Sequence, residues 1–250
     1  FPPCYKYKRH ISRRKSTQGD PNVVPIISMG RYATLLRVSR PSDDAFLAMF
    51  DSARHTIRLA IQDIGPVLLP GTRWALPGCV WPEAYLKALA RAIWLNGVQV
   101  EMILSNPNSI PGNCSQTEAN YGNGWNCVDV AAEIIKAIQK QFPKAHHGDL
   151  RHKLEENLRV CFVRSPKGGR QYEDGLTLGL HGKLSLTLPC FGLNGSCLEF
   201  LFLKNICRDL HSPFLAAKHF IVDDICCYIG SQNLYVCDLA EWGVVIDHPE

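Results

Sequence analysis

Two short stretches hold the residues whose types and spacing could do chemistry. Residues 218 to 235 read KHFIVDDICCYIGSQNLY, and residues 180 to 184 read LHGKL. Moving a phosphoryl group through a covalent intermediate needs an imidazole nucleophile and a second imidazole as acid. It also needs cations that hold the phosphoryl oxygens and a carboxylate that orients an imidazole. One chain segment supplies half of that set when it carries His-x-Lys on a strand, an acid five positions beyond the lysine and a small polar turn downstream. Strand alternation then puts the histidine and the lysine on one face.

The longer stretch carries most of this pattern. Asp223, Gly230, Ser231 and Asn233 are spaced as Asp-x6-Gly-Ser-x-Asn, and Lys218 stands five residues before Asp223. The position two before Lys218, where the histidine belongs, is Ala216. The shorter stretch has the reciprocal defect: His181 and Lys183 are present, but the position five beyond Lys183 is Leu188. Joining Lys183 directly to His219 would give LHGKHFIVDDICCYIGSQNLY, the complete pattern. The joining would remove the 35 residues 184–218, which have few charges, three cysteines and no clear hydrophobic period.

The pattern His-x-Lys-x4-Asp-x6-Gly-Ser-x-Asn resembles the signature of the phospholipase D superfamily. From about residue 21 to 250 the chain is similar to the carboxy-terminal half of secreted, Streptomyces-type phospholipase D. The likeness runs through TIRLAIQDI, GVQVEMILSNP, NLRVCFVRS, the acidic EDG before LHGK, and IGSQNLYVCDLAEWGVVID, and is interrupted only by residues 184–218. The resemblance implies an α/β phospholipase D-like domain, a mixed central sheet with helices on both faces. It implies cleavage of phosphatidylcholine-like phospholipids at a membrane surface to phosphatidic acid and an alcohol, through a phosphohistidine and without metal or cofactor. His181 would be the acid for the leaving group. Lys183 and Asn233 would contact phosphoryl oxygens, with Lys218 as the alternative lysine. Ser231 and Gly230 would shape the oxygen-binding turn, Asp223 would be an orienting carboxylate, and Glu241 would orient an imidazole across the site.

The family uses two such motifs, and this chain holds one. Arg151-His152-Lys153 is not a second, because His and Lys are adjacent and position 158 is Leu. The expected partner is a second half from an amino-terminal region preceding Phe1, or from a homodimer. A nuclease-like member of the superfamily and a catalytically inactive secreted homologue acting in binding are the alternatives. Three accounts of residues 184–218 stand open: an insertion such as translated intron, a surface excursion that returns His181 and Lys183 to Asp223, or the mark of a degenerate copy.

The elements that must position these residues follow from periodicity. SRPSDDAFLAMFDSAR reads as a helix capped by Ser42 or Asp43, with Ala45, Phe46, Met49 and Phe50 on one face. TIRLAIQDI (56–64) reads as a core strand. WPEAYLKALARAIWLNG reads as a helix with Pro82 in its first turn and Gly97 at its end. VQVEMILSNP (98–107) is the next strand, VDVAAEIIKAIQKQF a helix ended by Pro143, DLRHKLEENL a short helix and RVCFVRS (159–165) a strand. PNVVPIISMGRYATLLRV suggests one or two short strands, and HFIVDD, CCYIGSQNLY and EWGVVIDHPE three more. The alternation predicts one α/β domain over 21–250. Trp74, Trp125 and Tyr121, in or beside two long loops, are candidates for a lipid entrance, or else anchor those loops on the domain.

Composition bounds the rest. The formal net charge is +4, yet YKYKRHISRRK within the first 20 residues holds six cations and no acid, so the remainder is slightly negative. That predicts a basic arm or linker at 1–20 and excludes a body-wide nucleic-acid surface. Eleven cysteines, too scattered for a zinc site, and the sequons at Asn113 and Asn194 lean toward disulfides and a secreted or extracytoplasmic setting. No Walker loop, dinucleotide fingerprint or nucleophile elbow is present.

Overall fold

The structure, a computed structural model, describes residues 26–31, 41–69, 72–106, 124–145, 147–163, 172–173, 176–177, 218–236 and 241–247. The elements run β1 (Ile26–Arg31), α1 (Pro41–Ser52), β2 (Thr56–Ala60), α2 (Glu83–Asn96), β3 (Gln99–Leu104), α3 (Cys127–Gln141), α4 (His147–Asn157) and β4 (Leu158–Phe162). They continue through a two-residue pair, β5 (Tyr172–Glu173) and β6 (Leu176–Thr177), to β7 (Lys218–Val222), β8 (Cys226–Gly230) and β9 (Glu241–Asp247). Seven strands form one mixed sheet in the order β1-β9-β8-β7-β2-β3-β4. β2, β3 and β4 are parallel, as the intervening helices require, whereas β7, β8, β9 and β1 are antiparallel. The two halves meet where β2 pairs antiparallel with β7, Ala60 opposite His219 and Ile57 opposite Val222.

Alternation decides which side of each strand is buried. Ile57 and Leu59, Val100 and Met102, and Phe220 and Val222 project to one face with Tyr228 and Val245. All four helices contribute to the core on that face: Phe46, Met49 and Phe50 from α1, the alanine- and leucine-rich side of α2, Val130, Ile134 and Ile138 from α3, and Leu150 from α4. The other face carries Arg58, Glu101 and Arg159 in ion pairs toward the start of the parallel strands. Helices covering it are not among the described residues. Phe46 packs α1 onto the antiparallel half, its ring 4.7 Å from that of Phe220 and 4.6 Å from that of Tyr228, both edge-on. Truncating such a fully buried ring costs about 3–5 kcal/mol.

Local chemistry sets the ends of these elements. Gly97 closes α2 at φ 65°, the left-handed region that a Cβ disfavours. α3 starts with a reciprocal capping box, Asn126 accepting from the Asp129 backbone N–H and Asp129 from that of Asn126. The strand expected over 56–64 is shorter: β2 ends at Ala60, and beyond it the Gln62 backbone N–H goes to Asn233 Oδ1 while its carbonyl still accepts the Ser105 N–H. Lys218 closes the 184–218 segment. It is the first residue of β7 and is paired with Gly230.

Candidate functional site

The carboxyl ends of β2 and β3, the start of β7, the end of β8 and the start of β9 lie on one edge of the sheet. This is the edge at which α/β sheets bind ligands, since the helices and loops there present groups that the ladder does not consume. Among the described residues nine polar or charged side chains are buried. Eight of them, Gln62, Asp63, Ser105, Asn106, Lys218, Gln232, Asn233 and Glu241, follow a strand's carboxyl end or stand at the first position of β7 or β9 on this edge, or in the turn after β8. Buried polar groups have to be held by partners, and a concentration of them on one edge of a sheet makes that edge the candidate site.

Lys218 is at its centre. Alternation along KHFIV sends Lys218, Phe220 and Val222 to the core face, which leaves the lysine 0% exposed. Burial pushes its pKa down from 10.5 to about 8, against the pull of the Glu241 carboxylate, which favours the charged form. At neutral pH it is a cation in a desolvated place, the state in which a charge acts most strongly on a phosphoryl oxygen. His219, its neighbour, projects to the opposite face. Burial first and the Lys218 charge second depress its pKa.

The turn after β8 supplies the other side. Asn233 Oδ1 accepts the Gln62 backbone N–H at 2.8 Å, and its Nδ2 reaches Gln62 Oε1 and the Tyr235 hydroxyl at 3.3 Å each. Ser231 is tied to β9: its backbone N–H and its hydroxyl donate to the Trp242 carbonyl, and its Oγ accepts the Trp242 N–H. Gly230 has a packing role. A Cβ there would sit 2.1 Å from the Tyr228 hydroxyl oxygen, and one on Gly243 2.3 Å from the same ring, so two glycines make room for one phenol. From β2, Gln62 gives its carbonyl to the Ser105 N–H, and Asn106 donates to the Val163 carbonyl, which ties the parallel strand ends together.

Asp63 is 1% exposed, and its Oδ1 accepts the N–H groups of Ile64 and Gly65. Burial outweighs those bonds and raises its pKa to about 7. Motif spacing does not mark Gln62, Asp63, Ser105 or Asn106. The available signal was the pair of polar residues directly after each apolar run, QD and SN.

Asp223 is not on this edge. It follows the last residue of β7, about 16 Å along the strand from Lys218 at ~3.3 Å per residue. Its carboxylate accepts three backbone N–H groups, from Arg54 at 2.7 Å and from His55 and Thr56 at 2.8 Å. Desolvation pushes its pKa up, but the three bonds together prevail and hold it below the usual value. Asp223 and Asp224 both have positive φ, 53° and 59°, and the Ile225 N–H closes the turn on the Val222 carbonyl. Aspartate is among the few non-glycine residues that accept this conformation. Asp223 therefore orients backbone at the far end of the strand, not an imidazole at the site.

Of the remaining expected residues, His181, Lys183 and Tyr121 lie outside the described residues, as do the basic arm and nearly all of 184–218. Trp125 anchors a loop: its indole N–H donates to the Pro66 carbonyl at 2.7 Å, and its ring packs 4.9 Å from that of Trp81. Gly65 lets both rings approach, since a Cβ there would meet them at 2.3–2.9 Å. Trp74 is 76% exposed on the same loop. Cys79, Cys226 and Cys227 are free thiols, Cys226 pushed up to about 11 by burial and then by Asp247. Among the described residues no helix is long and apolar enough to cross a membrane.

Three solved structures are similar to this chain in part. NucT from Helicobacter pylori is 12% identical over 89% of this chain and 86% of that one, with a TM-score of 0.41. Nuc from Salmonella typhimurium, a phospholipase D family member, is 13% identical over 90% and 84%, with a TM-score of 0.37. Phosphatidylserine synthase from Haemophilus influenzae is 14% identical over 92% of this chain, which spans 36% of that protein's length, with a TM-score of 0.43. No family model matches the chain, and no curated protein is significantly similar to it.

Proposed function

We propose that the chain is a phospholipase D-type phosphodiesterase half, with Lys218 and not Lys183 as the lysine of its motif. The observation that carries this reading is the convergence of Lys218, Asn233 and Glu241 on one edge of the sheet, with Lys218 in the register that the Asp223 and Gly-Ser-x-Asn spacing demands. Lys218 and the Asn233 amide hold the non-bridging oxygens of a phosphodiester. An imidazole nitrogen attacks phosphorus, the bond to the leaving alcohol breaks, and that alcohol takes a proton from the second imidazole. Water, deprotonated by that same imidazole, then releases the phosphoryl group from the phosphohistidine. His181 serves as the imidazole of this half and the second half supplies the other, from a further part of the protein or a second copy. The substrate is a phosphatidylcholine-like lipid presented at a membrane surface, outside the cytoplasm, with Trp74 at the interface.

Ala216 favours a second reading. With Lys218 in the motif register, the histidine position two residues earlier holds alanine, and a chain without that imidazole binds a phosphodiester and does not turn it over. One experiment separates the two. The full chain is assayed for choline release from phosphatidylcholine vesicles and for cleavage of bis(p-nitrophenyl) phosphate and duplex DNA, beside the Lys218→Ala and His181→Ala variants. The hydrolase reading expects choline release lost in both variants. Phosphate binding that depends on Lys218, with no turnover of any substrate, supports the binding reading. DNA cleavage without choline release moves the substrate to nucleic acid.

A further inference from the structure

The residue between Ser231 and Asn233 is free in the motif's spacing, yet Gln232 is 0% exposed. Its backbone N–H donates to the Tyr228 hydroxyl at 3.2 Å. Its side-chain Nε2 donates to Asp43 Oδ1 at 2.6 Å, across 189 positions of sequence. The same carboxylate oxygen accepts the Tyr85 hydroxyl at 2.5 Å. Gln232 Oε1 is buried with no hydrogen-bond partner, so only the NH2 end of the amide is engaged and the orientation is fixed by Asp43. The turn is thus held from two sides: Asn233 by the backbone of Gln62 after β2, and Gln232 by the first turn of α1 with the start of α2 behind it.

We propose that Asp43, supported by Tyr85, is a positioning residue that acts through Gln232 to fix Asn233 on the phosphoryl-binding edge. A bond from a buried amide to a carboxylate is stronger than a neutral one and directional, and Asn233 lies one residue from it. An amide displaced by an ångström from a phosphoryl oxygen loses most of its effect on the transition state. The inference rests on the phosphodiesterase reading for its consequence in turnover, but its geometry stands apart from it.

The test is a reversal of polarity in the full chain. Gln232→Glu sets one carboxylate against another, and adding Asp43→Asn restores a donor and an acceptor with their positions exchanged. Two readouts are taken: the Asn233 side-chain amide resonances by NMR, and kcat and KM with bis(p-nitrophenyl) phosphate. The single variant is expected to shift the Asn233 resonances and lower kcat by roughly tenfold to a hundredfold, with KM changed much less. The double variant is expected to return both toward wild type. If Gln232→Glu does not fold, Tyr85→Phe removes one bond and keeps the ring, and a smaller Asn233 shift with a lowered kcat is expected. Unmoved Asn233 resonances in the variant that is read, or a double variant that restores nothing, overturn the proposal. If wild type turns over no phosphodiester, the functional reading fails, and the resonances alone decide the positioning role.

Discussion

Lys218 and Asp223 bracket one five-residue strand, and their surroundings are opposite. The carboxylate at the Asp223 end lies in a turn and meets three backbone N–H groups aimed at it, so its charge is stabilised where it stands. The lysine at the Lys218 end is fully buried, and its charged form is disfavoured despite Glu241. The first arrangement lowers the free energy of the fold. The second raises it and holds a charge in a low-dielectric place where a phosphoryl oxygen would feel it. The difference teaches that one motif serves two tasks, and that the strand between them transmits position, not chemistry.

The largest expected effect tests the Lys218 end. Lys218→Ala should lower phosphodiester turnover by about a thousandfold, as removal of a preorganised charge contact does, with circular dichroism unchanged. A variant with activity near wild type would remove Lys218 from the site. Its pH behaviour has a definite sign. The folded pKa is depressed to about 8, so the folded chain releases this proton before the unfolded chain does, and the contribution to stability rises between pH 8 and 10.5. Activity should fall over that interval, opposite to stability.

Asp63 gives the second test. Its folded pKa, about 7 against an ordinary 3.8, means that the folded chain keeps a proton that the unfolded chain gives up. Its contribution is therefore fully present below the ordinary value and is lost as pH rises through about 7. The loss amounts to at most about 4 kcal/mol at 1.36 kcal/mol per unit. Urea unfolding of Asp63→Asn at pH 4 and pH 8 should show a smaller fall in stability than wild type. Equal falls would show that the carboxyl is charged throughout.

Asp223→Ala should cost about 3 kcal/mol, near 1 kcal/mol for each backbone donor left unpaired, and leave kcat of the folded fraction within about twofold. A large loss of kcat at unchanged stability would return Asp223 to the active site. The charge makes its contribution above the ordinary carboxylate range and loses it as pH falls through the depressed folded value. The smallest effect is expected one residue on. Asp224→Gly removes the cost of positive φ and an exposed ion pair with Arg58, and stability should stay within about 0.5 kcal/mol of wild type by the same unfolding measurement.

Much of the fold was legible because its signals are local. The α2 period with Gly97, the alternation of VQVEMIL and the Asp-Asp turn between two apolar runs each depend on neighbours a few residues apart. The site was legible only in part. Motif spacing marks Asn233 and Ser231 and the family resemblance marks Glu241, whereas Gln62, Asp63, Ser105 and Asn106 read as ordinary loop starts. Only the parallel register of β2 and β3 brings them to one edge. Asp223 is a member of the motif by spacing, yet an extended strand carries it about 16 Å from Lys218. Lys218 falls at the boundary of the 184–218 segment because the motif is completed equally by joining Lys183 to His219, and its pairing with Gly230 places it in β7.

The sequence by itself determined which residue types are present, the spacing of the Lys218, Asp223 and Gly-Ser-x-Asn positions, and the strands and helices that repeat at 2 and 3.6 residues. Those quantities are set by covalent order and by the backbone geometry of each element. The tertiary structure alone decided that Lys218 is buried, that the Asp223 carboxylate meets the backbone N–H groups of residues 54–56, and that Asp43 grips Gln232 across 189 positions. These depend on which strand end meets which, and burial and hydrogen bonding between distant segments follow from that packing rather than from local order.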